Sequence, residues 1–138
     1  VLNMIQLTAQ FIVDTYGENA TVGLLATDGT LQTQIYQKEF AKISPNIKII
    51  APDAPGQKNV MEAIYGEKGI KAGCIDEHNY EMLNAQAKQL IDNGAQIAIE
   101  GCTEIPLVLS MKGSAFPIID PMEVLAKEII KRTMASKK

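Results

Sequence analysis

The sequence contains few of the residues that build metal and redox sites. Its 138 residues include only two cysteines, Cys74 and Cys102, and one histidine, His78. The cysteines are far apart and no CxxC motif occurs, which argues against a thioredoxin-type redox pair and against a zinc ribbon. A single histidine cannot build a metal cluster by itself. We therefore expect neither a metal nor a cofactor, and the free thiols favour a cytoplasmic protein.

Several patterns with well-defined functions are also missing. No GxxxxGK[ST], GxGxxG or GxSxG motif occurs, so phosphate-loop, dinucleotide and α/β-hydrolase sites lack support. No apolar run reaches the roughly 18 residues of a membrane span, and no signal-peptide pattern is visible. The net charge is −3 and no basic stripe is present. We expect neither a nucleic-acid partner nor a membrane.

Strand and helix patterns alternate along the chain. Short apolar runs typical of buried parallel strands are ATVGLLAT, NIKIIAPD, AQIAIEG and FPIID. The intervening segments have helical spacing, among them LQTQIYQKEFAKI and GQKNVMEAIYGEKGI. The length suits one compact domain. The pattern predicts an α/β fold with a four-stranded parallel sheet flanked by helices.

In such sheets ligands bind beyond the carboxyl ends of the strands, which directs attention to LLATDGTL. This stretch is similar to a haloacid-dehalogenase phosphatase signature, but Ala26 stands where the nucleophilic aspartate is required. A methyl group cannot attack phosphorus, so we reject that interpretation. The turn still offers backbone N–H groups and the hydroxyls of Thr27 and Thr30, which suit a carboxylate. The alternative is a plain turn in which threonine caps a helix.

Cys102, in EGCTEIP, follows a predicted strand and precedes a short predicted helix. The helix dipole favours negative charge there, so we expect a lowered thiol pKa and an available thiolate. The alternative is a small buried apolar residue. Cys74 lacks this position and is interpreted as a bystander. Lys71 lies between glycines, where it suits an anion site or is an ordinary loop lysine; His78 is expected to be exposed.

Four segments together resemble the aspartate/glutamate racemase family, most closely its aspartate racemase branch. They are VGLLATDGTLQTQIYQ, MEAIYGEKGIKAG, GAQIAIEGCTEIPLVL and PIIDPMEVLA. The most specific is GCTEIPL, where close glutamate racemase relatives have Gly-Cys-Thr-His. Glu104 at this position therefore favours the aspartate or broad-specificity branch.

The resemblance implies one lobe of a pseudo-symmetric, two-lobe racemase with its active site between the lobes. It implies racemisation of aspartate, with glutamate as a second candidate, without pyridoxal phosphate or metal. Two cysteines would face opposite sides of the substrate α-carbon, one removing a proton and the other returning one. Hydantoin racemase, maleate isomerase and arylmalonate decarboxylase share this architecture. They remain alternatives, as does a non-catalytic carboxylate-binding module.

The resemblance also assigns roles residue by residue. Cys102 matches the catalytic cysteine of the second lobe. The positions that match substrate-binding residues are Thr27, Thr30, Lys71 and Thr103. Glu104 fits the motif, where it either supports the cysteine loop or contacts the substrate.

The first lobe of the family is not visible in this sequence. Its Gly-rich strand turn and its Cys-Asn-Thr motif are absent, and the single arginine, Arg132, lies in the last predicted helix. We therefore expect residues 1–114 to be the second lobe with its entering helix. Residues 115–138 are expected to be a closing strand and helix that pack on the missing lobe. The exposed apolar faces that follow favour a homo-oligomer, such as a dimer.

Overall fold

The computed structural model describes residues 3–112 and 115–136, which form a four-stranded sheet with helices on both faces. The strands are β1 Thr21–Leu25, β2 Lys48–Ile50, β3 Ile97–Glu100 and β4 Ile118–Ile119. The helices are α1 Met4–Tyr16, α2 Asp28–Thr33, α3 Ile35–Ile43, α4 Ala54–Tyr65, α5 Glu77–Asp92, α6 Ile105–Leu109 and α7 Pro121–Ser136. A 3-10 turn covers Ile70–Ala72. The predicted α/β fold class is confirmed.

All strand pairs in the sheet are parallel, and the strand order is β2-β1-β3-β4. The chain leaves β1 toward β2 on one side and later returns to place β3 on the other side. The order therefore reverses between β1 and β3, whose last residues, Leu25 and Glu100, are paired in register. The crevice beyond such a reversal is where open α/β sheets bind their ligands.

Two apolar layers cover the two faces of the sheet. Leu24 belongs to the layer formed with α1 and α3, whereas Leu25 belongs to the layer formed with α4, α5 and α6. Gly23 lets α5 come close, because a Cβ placed there would lie 2.7 Å from the Leu90 Cβ. Packing against these two layers fixes the positions of β1 and β3. The turns that follow the two strands therefore start from fixed points.

Two predicted helices differ from the structure. LQTQIYQKEFAKI, predicted as one helix, belongs to two, since Gln34 adopts a left-handed conformation (φ 55°, ψ 29°) between α2 and α3. The helix predicted over GQKNVMEAIYGEKGI ends at Tyr65. The chain then forms a glycine-containing loop, and Lys71 lies in its separate 3-10 turn.

The closing segment contributes both a strand and a helix to this fold. β4 pairs with β3, and α7 packs against α1. The outer side of α7 exposes large apolar side chains, namely Ile129, Ile130 and Met134. The predicted division after residue 114 falls on residues 113–114, which lie outside the described residues. Packing of residues 115–138 on a first lobe remains a prediction, as does the homo-oligomer.

None of the helices in the described ranges combines the length and the hydropathy of a membrane span.

Candidate functional site

The ends of β1 and β3 are joined at the edge where the candidate residues lie. The Gly101 N–H donates to the Leu25 carbonyl oxygen at 2.7 Å. A Cβ on Gly101 would lie 2.8 Å from the Leu24 Cδ1 and 2.9 Å from the Leu25 carbonyl oxygen, so only glycine fits without a shift. This close approach places Cys102, the next residue, beside the turn that follows β1.

Cys102 begins a chain of polar contacts along this edge. Its thiol donates to the Glu104 Oε2 at 2.8 Å, and the Thr103 hydroxyl donates to the same oxygen at 3.1 Å. The other oxygen, Oε1, lies 3.3 Å from the Lys71 Nζ. The Lys71 ammonium also lies 5.0 Å from the centre of the Tyr65 ring, a favourable cation–π distance. Four of the predicted residues are thus in contact.

These contacts shift the pKa values of Cys102, Glu104 and Lys71 and so determine their protonation states. Burial, together with the hydrogen bond to Glu104, raises the pKa of Cys102 to about 11. The hydrogen bond from Cys102, supported by Lys71 and Thr103, lowers the pKa of Glu104 to about 2. The same carboxylate raises the pKa of Lys71. At neutral pH Cys102 is therefore a neutral thiol, Glu104 is a carboxylate and Lys71 is an ammonium group.

The expected lowering of the Cys102 thiol pKa was wrong. The expectation relied on the dipole of the following helix, but α6 has only five residues and begins at Ile105. Burial of the thiol is the largest cause of its raised pKa, and Glu104, which accepts the thiol proton, adds to it.

The turn after β1 uses its two threonines in a helix cap. The Thr27 Oγ1 accepts from the Thr30 N–H at 3.3 Å and lies 3.2 Å from the Thr30 hydroxyl. In the described part of the chain, no hydrogen bond joins either threonine to Cys102. The capping alternative is therefore confirmed, and a substrate contact for these two hydroxyls stays a prediction.

Sequence reasoning did not identify the side chains of α4 that hold this turn. The Gln57 Nε2 donates to the Ala26 carbonyl oxygen at 2.8 Å and to the Asp28 Oδ1 at 2.9 Å. The Asp28 N–H contacts the Met61 Sδ at 3.3 Å. Gln57 and Met61 lie one helical turn apart, a spacing visible in the sequence only after the partner is known.

Cys74 and His78 lie in the segment that precedes and begins α5. His78 is exposed, as predicted. Cys74 is half-buried, and no hydrogen bond or ion pair of the described residues links its thiol to Cys102.

Glu100 is a buried carboxyl group that the sequence analysis overlooked. It is the last residue of β3 and is only 8% exposed. Burial, followed by the negative charges of Asp120 and Glu123, raises its pKa to about 7. Asp120 directly follows β4, so two carboxyl groups end neighbouring strands. The sequence does contain a sign of this buried carboxyl group, because a charged residue ends the apolar run IAIE.

Replacing Glu100 by glutamine should stabilise the chain at alkaline pH. The carboxyl group of a glutamate in an unfolded chain has a pKa of about 4.3. Between that pH and about 7 the folded chain keeps a proton that the unfolded chain releases. Stability conferred by Glu100 is thus lost as the pH rises through this window. We expect Glu100→Gln to raise the free energy of unfolding by about 3 kcal/mol more at pH 8.5 than at pH 4.5.

Urea unfolding of both forms at the two pH values measures this difference. Glu81→Gln, an exposed glutamate on α5, is the matched control and should show no such dependence. An equal effect of Glu100→Gln at both pH values would contradict the assignment.

The cavity of about 390 Å³ in this chain lies elsewhere, between α1 and α7 beside β4. None of the predicted site residues lines it. A much smaller depression, of about 20 Å³, lies at the edge that carries Cys102, and Glu100, Gly101 and Thr103 are among the residues that line it.

Comparison with known proteins agrees with the α/β fold of this chain. The family model described as Asp/Glu/Hydantoin racemase matches residues 1–129. An uncharacterized protein in the pnlA 3' region of Pectobacterium carotovorum is 35% identical over 94% of this chain and 83% of that protein. A glutamate racemase of Corynebacterium kroppenstedtii is 28% identical over 80% of this chain and 37% of its own length.

Among solved structures, Picrophilus torridus aspartate racemase superposes with a TM-score of 0.72 at 30% identity. The superposition covers 95% of this chain and 52% of that one. This chain thus spans about half of the aspartate racemase and less of the glutamate racemase. The match of the family model over nearly the whole chain shows that it belongs to the Asp/Glu/hydantoin racemase family.

Proposed function

We propose that this chain supplies one of the two acid/base groups of a cofactor-independent amino-acid racemase. The observation that carries the proposal is the thiol of Cys102, which donates to Glu104, the ion-pair partner of Lys71, at the reversal point of the sheet. Aspartate is the first candidate substrate, since a named aspartate racemase superposes on 95% of the chain. Glutamate is the second, since glutamate racemases are among its relatives.

The chemical difficulty is the weak acidity of the α-C–H bond. One cysteine thiolate removes the α-proton, and a thiol on the opposite face donates a different proton to the same carbon, which inverts the configuration. Cys102 rests as a thiol, so it begins as the proton donor in one direction of the reaction. In the reverse direction it must first lose its proton, and the positive charge of Lys71 lowers the cost of doing so.

The neighbouring polar groups suit a substrate with carboxylates. Lys71 has three N–H donors, and its side chain is 44% exposed beside Glu104, so donors remain for a second anion. The hydroxyls of Thr27, Thr30 and Thr103 lie along the same edge. Donors fixed in advance around a substrate carboxylate stabilise the negative charge that develops on the α-carbon.

The partner cysteine belongs to a first lobe, which would close the open edge over the substrate. We call "the two-lobe protein" the form in which this chain is joined to that lobe. The chain alone then has little or no racemase activity. Independence of pyridoxal phosphate, a cytoplasmic location and a homo-oligomeric state are part of the same proposal.

Chiral chromatography tests the proposal. The two-lobe protein, treated with a chelator and without added cofactor, should interconvert L- and D-aspartate, and glutamate more slowly. Samples with a 5-substituted hydantoin and with maleate run alongside. Turnover of the hydantoin or of maleate without turnover of either amino acid would reassign the enzyme to a related activity. Binding of aspartate without any turnover would favour a carboxylate-binding module.

A further inference from the structure

Lys71 lies in the middle of the loop that connects α4 to α5. The loop bends tightly, since the N–H groups of Ala72 and Cys74 both donate to the Gly69 carbonyl oxygen at 3.1 Å. Gly73 adopts a positive φ of 94°, which favours glycine. This bend carries Lys71 to within 3.3 Å of Glu104.

One side chain ties the two ends of this loop together. The Asn79 Nδ2 donates to the Lys68 carbonyl oxygen at 2.9 Å and to the Cys74 carbonyl oxygen at 2.7 Å. These two carbonyls lie three residues before and three residues after Lys71. Both hydrogens of the amide are therefore used in closing the base of the loop. Asn79 is 2% exposed, so neither bond competes with water.

Asn79 is itself fixed to the rigid part of the fold. Its backbone N–H donates to the Asp76 Oδ1 at 3.0 Å, which caps the start of α5. Farther along α5, Leu83 and Leu90 are fully buried against the sheet. The position of the loop base is thus set by a helix that packs on the core.

We propose that Asn79 is a positioning residue that keeps the Lys71 loop closed, so that Lys71 stays beside Glu104 and tunes the reactivity of Cys102. The chain of contacts runs from Asn79 through the loop to Lys71, then through Glu104 to the thiol. Asn79 need not touch the substrate. Its importance for turnover rests on the proposed racemase function, whereas its effect on the thiol does not.

A purely structural role would give a different result. A buried amide that only stabilises the fold would alter the free energy of unfolding, but it would not alter how strongly Lys71 influences Cys102. The coupling between the two positions is therefore the informative quantity, and a double-mutant cycle isolates it.

The experiment measures alkylation of Cys102 by iodoacetamide at pH 8, in the 138-residue chain with Cys74→Ser so that one thiol reacts. Lys71 lowers the pKa of the Cys102 thiol, so Lys71→Met should leave less thiolate at pH 8 and slow the reaction about threefold. In the Asn79→Ala background, Lys71→Met should change the rate less than about 1.3-fold. Taking the ratio within each background cancels any change in thiol accessibility.

Asn93→Ala, at the exposed C-terminal end of α5, is the matched control and should keep the threefold ratio. If circular dichroism shows that Asn79→Ala does not fold, Asn79→Ser replaces it, since a hydroxyl can donate to only one carbonyl. An unchanged threefold ratio in the Asn79 variant overturns the proposal. So does the absence of any effect of Lys71→Met when Asn79 is present. The assay contains no substrate, so these outcomes are independent of whether the two-lobe protein racemises aspartate.

Discussion

Cys102→Ser is expected to reduce racemisation of aspartate by the two-lobe protein at least about 1000-fold in both directions. A serine hydroxyl is a far weaker acid than a thiol, so it neither donates a proton to the α-carbon fast enough nor becomes a useful base. The geometry of the site should be retained, because Glu104 accepts a hydrogen bond from the Cys102 thiol in the wild-type chain. A serine hydroxyl can donate the same hydrogen bond. Initial rates from each enantiomer, measured by chiral chromatography, give the result.

Cys74→Ser is the matched control for this loss. Cys74 is half-buried in the loop before α5, where its backbone carbonyl accepts from Asn79. Serine keeps that carbonyl, so the rates should stay within about twofold. Normal turnover of Cys102→Ser in both directions would refute the acid/base role of Cys102.

Glu104→Gln is expected to make the Cys102 thiol more acidic and more reactive. Burial is the largest cause of the raised thiol pKa, and the side-chain hydrogen bond and charge of Glu104 raise it further, whereas the Glu104 backbone N–H and Lys71 lower it. Glutamine removes the charge and leaves Lys71 without its anion. The thiol pKa should therefore fall from about 11 toward the ordinary value. Because burial of the thiol remains and a more acidic thiolate is also a weaker nucleophile, we expect alkylation at pH 8 to accelerate about threefold.

The pH dependence of alkylation in the Cys74→Ser background measures this change. Lys71→Met is the comparison of opposite sign, since removing the cation should slow the reaction. Slower alkylation after Glu104→Gln would contradict the assignment, because it would mean that the carboxylate promotes loss of the thiol proton.

The sequence was sufficient to predict the layers of the fold and the place of Cys102. Apolar runs of strand length, separated by helical spacing, predicted the parallel sheet that the structure confirms. The position of Cys102 just beyond the end of β3, with Gly101 between them, followed from that pattern alone. The family resemblance, which the comparisons confirm, added the second cysteine and the substrate class as expectations.

Side-chain partners were harder to predict, since they depend on loops and rotamers. Lys71 reaches Glu104 because of a bend that Gly73 permits and Asn79 closes, and these residues are far from Glu104 in the sequence. The direction of the Cys102 pKa was mistaken for the same reason. A helix start is visible in the sequence, whereas the burial of the thiol and its contact with Glu104 depend on the folded chain.

Exchange of the α-proton of aspartate in deuterated water tests the central claim most directly, because it reports each proton transfer separately. Nuclear magnetic resonance would follow loss of the α-proton signal from L- and from D-aspartate, with this chain alone and with the two-lobe protein. If Cys102 is one of two opposing acid/base groups, the two-lobe protein exchanges both enantiomers and the chain alone shows little or no exchange. Rapid exchange of both enantiomers by the chain alone would contradict the account.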